Sequence, residues 1–397
     1  MSPLAGIKVL DLSRILAGPW ATQVLADYGA EVWKIEKPGE GDDTRRWGPP
    51  FLHNEAGQNT GQSAYFLCAN RGKRSVCIDI TTEQGQQQIR QLAARADVLV
   101  ENYKVGGLAK YGLDYSSLSA LNPRLIYCSI TGFGQTGPYA NQAGYDAMIQ
   151  AMGGLMSLTG EPDDASGGGP QKVGVAAADL MTGMYAVSAI LAALHHVHQT
   201  GQGQHIDLAL LDTQVAWLAN QASNFLVTGE VPQRLGTAHP NIVPYQAMQC
   251  RDGFIMLAVG NDRQFRSCCQ VLGCPELAED SRFISNSLRV QHRDALIPLL
   301  AGCLLQQDVT YWVTALSSQH VPCGPINRLD QVFADPQVQS RGLQVQARHP
   351  RGYTVPMVAN PVKFSATPLS FDQAPPELGE HTEQVLFTLS NYQPENE

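Results

Sequence analysis

The sequence is poor in charge, in paired cysteine motifs and in long apolar runs. Charged residues make up 16% of the 397, and acids outnumber bases 36 to 27, for a formal net charge of −9. Such a chain lacks the basic surface that a phosphate backbone requires, so no nucleic acid is expected as its main partner. A local basic pocket for a small anion remains open. The nine cysteines are odd in number, and none forms a CxxC pair. Disulfide-framework and zinc-ribbon readings are therefore weak, no metal is expected, and reduced thiols are the default. The opening MSPLAGIKVLDLS lacks the basic region and apolar run of a secretory leader, so a cytoplasmic location is expected. No apolar run is read as reaching the roughly 18–20 residues of a spanning helix, so no membrane is expected. The most apolar stretch, Leu180–Leu194, reads as a core helix. The first strand is followed by a lone Gly18 and no GxGxxG, so a dinucleotide cradle is poorly supported. The chain has no internal repeat.

What is present is strand–helix alternation. IKVLDL (7–12) predicts a strand, Trp20–Tyr28 a helix and EVWKIE (31–36) a second strand, which together make a βαβ unit. Strands follow at 75–80, 97–101 and 125–130, with a helix at 82–94. The expected fold class is α/β: a Rossmann-like, doubly wound large domain plus a smaller α+β domain. Boundaries are expected at 1–200 for the large domain, 201–224 for a linker helix and 225–325 for the small domain. The remaining 326–397 is expected to return onto the large domain.

Four constellations could carry chemistry. In KVGVAAADLMTG, Asp179 sits at the start of the most apolar helix among small residues. A plain helix cap is the commoner reading. A partly desolvated carboxylate with room for a ligand is also a good nucleophile. The second constellation is a set of cations, Arg14, Lys37, Arg71, Lys73, Arg74 and Lys110, placed where parallel strands should end. That edge is the ligand crevice of such a sheet, so these residues suit a phosphate-bearing molecule, with Asn102 and Tyr103 suited to a nucleobase. Ordinary solvated side chains are the competing reading. In the third, DDTRRWGPP, Arg45 or Arg46 could grip a substrate carboxylate. The fourth is the VGNDRQF loop with Gly260 and Asn261, a candidate cover that excludes water, and His239 nearby could orient a substrate.

The chain as a whole resembles the class III CoA-transferase family. The stretches that carry the likeness run nearly end to end: PLAGIKVLDLSRILAGP, GAEVWKIEKPGEGDDTRRWGPP, NRGKRSV, DVLVENY, GLDYSSLSALNPRLIYCSITGFGQTGP, AGYDAM, KVGVAAADLMTGMYA, TGQGQHIDLALLD and PPELGEHTEQVL. GTAHPNIVPYQA and GDDTRRWGPPF look most like the succinyl-CoA:glutarate (dicarboxylate) branch. The resemblance implies that Asp179 is the nucleophile. It implies that Arg14, Ile15, Leu16 and Ala17 line the CoA site, and that Lys37, Lys73, Asn102, Tyr103 and Lys110 hold CoA. It implies that Gly260 and Asn261 lie on the family's glycine loop at the substrate, with coenzyme A as substrate, no resident cofactor and an interlocked homodimer. Arg45, Arg46 and His239 are candidate substrate contacts from the residues alone, unranked. The glycine loop is richer in glycine in formyl-CoA transferase; here it reads GNDRQ. The alternatives are an acyl-CoA racemase of the same fold and a non-catalytic CoA-binding protein. The racemases resembled here carry a His before the Asp, where this chain has Gly144-Tyr145-Asp146. A tyrosine of ordinary pKa, about 10, is a poor base at neutral pH.

Overall fold

The structure is a computed structural model that describes residues 2–390. It divides into two compact units. The first holds the chain up to Leu155, then Val173–Val227, then the chain from Pro336 on; the second holds Met156–Lys172 and Thr228–Asp335.

The first unit is built on a six-stranded parallel sheet. Its strands are β1 (Lys8–Asp11), β2 (Glu31–Glu36), β3 (Lys73–Cys77), β4 (Val98–Glu101), β5 (Ile126–Thr131) and β6 (His205–Ala209). They lie in the order β3-β2-β1-β4-β5-β6. This is the doubly wound order, whose direction reverses between β1 and β4. Successive side chains on a strand face opposite ways, so an α/β sheet has two buried faces. Val9, Val32, Val100 and Cys128 enter one core; Leu10, Trp33, Leu99 and Tyr127 enter the other. Helices α1 (Ala17–Asp27) and α4 (Ala177–Thr200) cover the first face. Helix α2 (Glu83–Ala93) covers the second with Ile89, Leu92 and Ala93, and its Thr82 cap accepts from the Gly85 N–H. Between α2 and α4 lies α3 (Asp146–Met152); α5 (Leu210–Ala216) follows β6.

Several expectations from the sequence need correction. Helix α1 begins at Ala17 rather than Trp20, because Pro19 is accommodated in its first turn. The stretch 201–224 is not a linker: it supplies the outer strand β6 and then α5, both in the first unit. The helical stretch after β6 is not continuous: it breaks at Trp217, and Ala219 takes a positive φ of 45°. The small unit runs to Asp335 rather than 325, and it also takes in Met156–Lys172. A hairpin, Phe51–His53 with Asn59–Ser63, was not foreseen. Helix α4, at 24 residues, is long and apolar enough to cross a membrane by length and composition, contrary to the reading of the apolar runs. Its Ala178, Ala186, Val187 and Ile190 nevertheless sit in the sheet's core.

The chain from Pro336 onward is stitched to the sheet. Arg71 donates to the Val358 carbonyl at 2.9 Å, and the Asn360 amide donates to Asp27 at 3.0 Å. The His381 N–H bonds the Ser75 carbonyl at 2.9 Å.

The second unit pairs β7 (Tyr245–Gln249), β8 (Phe254–Ala258) and β9 (Cys323–Pro325) as a three-stranded antiparallel sheet. Ile255, Leu257, Phe265, Leu296 and Leu300 form its core. Arg289 is wholly buried there and donates to the Val243 and Phe283 carbonyls and to Asp262.

Candidate active site

A cleft of about 930 Å³ opens where the parallel strands end. Arg14–Ala17 follow β1, Lys37 and Glu40–Asp43 follow β2, Ile78–Thr81 follow β3, and Asn102–Lys104 follow β4. Thr131, Gly132 and Gly144–Asp146 complete one side, and Asp179 faces the cleft from α4. A doubly wound sheet makes its ligand crevice in this place, at the carboxyl ends of the strands around the reversal.

Asp179 lies in the first turn of α4 but does not cap it. Ala176, at the cap position, offers no side-chain acceptor. The cap comes from α3 instead: Asp146 Oδ1 accepts the Ala178 N–H at 2.8 Å and the Asp179 N–H at 3.3 Å. The other oxygen of Asp146 accepts from the Gln150 amide at 2.7 Å. Asp146 is thereby committed to the helix, which leaves the Asp179 carboxylate free of that duty. Burial first, and then the nearby negative charge of Asp146, push the Asp179 carboxyl up to about 7. Among the described residues no ion pair or hydrogen-bond donor meets that carboxylate. Four residues on, Gly183 allows α1 to approach: a Cβ there would stand 2.8 Å from the Ala17 carbonyl oxygen. The glycine thus sets the distance between the Arg14–Ala17 wall and the helix that bears Asp179.

The structure sorts the expected CoA contacts. Arg14, Ile15, Leu16, Ala17, Lys37, Asn102, Tyr103 and Lys110 all line the cleft. Lys73 does not. Its ammonium is fully buried, bonded to Asp11 at 3.1 Å, to the Pro19 carbonyl at 2.9 Å and to Asn70 at 2.9 Å. It opens β3 at the strand's amino end rather than lying past a carboxyl end, and its three donors are used inside the fold. Arg71 is likewise held by Asp27, and Arg74 pairs with Glu31. Asn102 is at the cleft, but its side-chain amide is engaged with the backbone of Arg14, so it is not free to read a nucleobase. Tyr103 lies 5.7 Å below the Arg14 guanidinium.

The expected carboxylate grips also separate. Arg45 makes a two-pronged pair with Glu36, both contacts at 2.7 Å, and covers the Phe66 ring at 3.7 Å. Its fork is occupied, so it is a structural residue and not a substrate anchor. Arg46 is exposed and stands 3.7 Å from Asp43. In the second unit, His239 stacks on Tyr245 and accepts the Asn241 N–H at 3.1 Å. Asn261 caps α6 (Asp262–Val271) by accepting the Gln264 N–H, and the Gly260 N–H donates back to the Gln264 side chain. Gly260 and Asn261 of the GNDRQ loop thus form the cap of α6.

Asp42 and Trp47 stand in the DDTRRWGPP constellation, where the sequence assigns them no role, and Tyr65 stands in none of the four constellations. Trp47 lines the cleft and meets Tyr65 edge-on at 5.0 Å. Burial and the nearby Asp179 charge push the Tyr65 hydroxyl up to about 12. No spacing in the sequence marks these roles: the segment after β2 carries Asp42 and Trp47 to the cleft, and Tyr65 reaches Trp47 from the short helix Ala64–Leu67.

A family profile described as CoA-transferase family III matches residues 4–382. The chain belongs to that family. It is an enzyme, a CoA-transferase. It is 53% identical to the succinate–glutarate CoA-transferase of Agrobacterium fabrum, over 98% of this chain and 96% of that one. It is 44% identical to the succinyl-CoA:glutarate CoA-transferase of Homo sapiens, over 99% of this chain and 87% of that one. Among solved structures, a CAIB/BAIF family protein from Brucella suis superposes with a TM-score of 0.86 at 52% identity, covering 98% of this chain and 99% of that one. The likeness in sequence and the match in fold both span nearly the whole chain.

Proposed function

We propose that this CoA-transferase moves CoA from succinyl-CoA to a short dicarboxylic acid such as glutarate, with Asp179 as the nucleophile. The observation that carries the reading is that the Asp179 carboxylate at the cleft is relieved of helix capping by Asp146 and unpaired with any cation among the described residues. The relatives named for succinate and glutarate supply the substrate class.

The chemistry follows from a carboxylate meeting a thioester. Asp179 attacks the donor carbonyl; the C–S bond breaks, CoA thiolate leaves and a mixed anhydride forms. The thiolate attacks the aspartyl carbonyl, which frees the donor acid and leaves an aspartyl-CoA thioester. The acceptor carboxylate attacks that thioester and expels the thiolate, giving a second anhydride. The returning thiolate attacks the acceptor carbonyl, releasing acceptor-CoA and restoring Asp179. Each step trades one activated acyl bond for another, so no ATP is consumed. Catalysis rests on positioning and on the exclusion of water. A carboxylate of raised pKa is a stronger base than an ordinary one, which favours attack once it is ionised.

Lys37, Lys110 and Arg14 are proposed to meet the CoA phosphates and Arg46 the distal carboxylate; Tyr103 offers an aromatic face to the adenine. A homodimer is also proposed. Tyr185, Val215, Trp217, Phe225, Leu226 and Val227 of the first unit expose large apolar surfaces, which suit a second copy of the chain. The cytoplasm remains the proposed location, and no resident cofactor is invoked. The test incubates the enzyme with succinyl-CoA and a panel of free acids, resolving products by mass. Glutaryl-CoA should dominate among the dicarboxylate products. A strong preference for a monocarboxylate would overturn the substrate class, and exchange of the α-proton without acyl transfer would overturn the reaction.

A further inference from the structure

The turn between β1 and α1 stores backbone strain at Ile15. Its φ is +73°, in the left-handed region that β-branched residues avoid. Such a conformation persists only where the surroundings over-determine it. Here two side chains from other strand ends do so. Asn102, just past β4, accepts the Arg14 N–H at 2.9 Å and donates its amide to the Arg14 carbonyl at 2.7 Å. Asp42, past β2, accepts the Ile15 N–H at 3.3 Å. Asp42 is itself fixed by the buried Lys34 at 2.9 Å, and Lys34 also donates to the Ser13 carbonyl at 3.1 Å. Three consecutive residues, Ser13, Arg14 and Ile15, are thus held through their backbones from both sides of the sheet reversal. The held segment runs directly into Leu16 and Ala17, which face the cleft that Asp179 also faces.

We propose that Asn102 and Asp42 are positioning residues for CoA transfer. They clamp the Arg14–Ile15 turn in its strained form, so that the Arg14–Ala17 wall holds the thioester against Asp179. The geometry gives Asn102 a role distinct from binding the nucleobase, because both ends of its amide are spent on Arg14. The role rests on the assignment of Asp179 as nucleophile.

The clamp is tested with Asn102→Ala, Ile15→Gly, Ile15→Ala and the double variant Asn102→Ala/Ile15→Gly, in the full-length enzyme. Losing two hydrogen bonds at a positioning residue should lower kcat roughly 10- to 100-fold while KM for acyl-CoA moves less than about threefold. Glycine adopts a positive φ without the clamp. Asn102→Ala should therefore cost several-fold less kcat when introduced into Ile15→Gly than into the parent. A KM increase with kcat intact would make Asn102 a binding residue and overturn the proposal. Equal costs in both backgrounds would overturn it as well. Should Asn102→Ala fail to fold, thermal unfolding of the two single Ile15 variants still decides: Ile15→Gly should melt above Ile15→Ala. The reverse order would show that the turn carries no strain to clamp. Asp179→Asn run in parallel separates the two claims. Turnover by Asp179→Asn removes the nucleophile and leaves the melting comparison standing, whereas a dead Asp179→Asn with uncoupled clamp variants removes only the clamp.

Discussion

Two of the carboxylates that line the cleft, Asp42 and Asp179, lie in regions built in opposite ways. Asp42, after β2, sits in a lattice of compensated charge. Burial works against its ionisation, but Lys34 and the Thr44 N–H and hydroxyl outweigh burial and hold it at about 2. Around it, Glu36 grips Arg45, and Lys73 pairs with Asp11. Asp179, on α4, is raised to about 7 because burial and Asp146 act in the same direction with no cation to oppose them. The contrast separates two uses of one residue type. A carboxylate with every lone pair satisfied holds backbone in place, and one left without partners is available to react.

The contrast breaks most sharply at Asp179 itself. Asp179→Asn should lower turnover by at least about 10⁴-fold, read by steady-state kinetics, while CoA binding persists in calorimetry. The same variant should be more stable than the parent at pH 8. The Asp179 carboxyl titrates higher in the fold than in the unfolded chain, so stability is lost as pH rises from the ordinary carboxylate range through about 7. The gap in melting temperature should be near zero at pH 3.5 and full at pH 8. Next in size is Asp42→Ala, which strands the fully buried Lys34 ammonium. Urea denaturation should show a loss of about 3–5 kcal/mol. Third, kcat/KM of the parent should fall as pH drops below about 7, because the nucleophile must be ionised. Asp146→Asn keeps an oxygen for the cap but removes the charge, and should move that limb to lower pH. The smallest effect belongs to the exposed cations. Lys110→Ala should raise KM for acyl-CoA about 3- to 10-fold and leave kcat unchanged.

The sequence made the sheet legible because strand periodicity and short connections are local signals. β1, β2, β4 and β5 fall within two residues of where IKVLDL, EVWKIE and their successors place them. Asp179 was legible for the same reason, as an acid at the start of an apolar helix. What the sequence did not disclose is pairing across distance. Lys73 and Arg45 read as free cations, and nothing local shows that Asp11 and Glu36 are waiting for them. Asp146 lies more than thirty positions before Asp179, so its capping role emerges only when α3 and α4 meet. The break at Trp217 within 211–227 was hidden too, because the apolar pattern continues through it.

The account depends on sulfur being joined for a moment to residue 179. The most direct measurement is mass spectrometry of the enzyme quenched in acid during turnover with succinyl-CoA, followed by peptide mapping after borohydride or hydroxylamine treatment. A CoA adduct, or its reduced or hydroxamate product, should appear at Asp179 and vanish in Asp179→Asn. Full turnover with Asp179 never marked, or a mark on a different side chain, would contradict it.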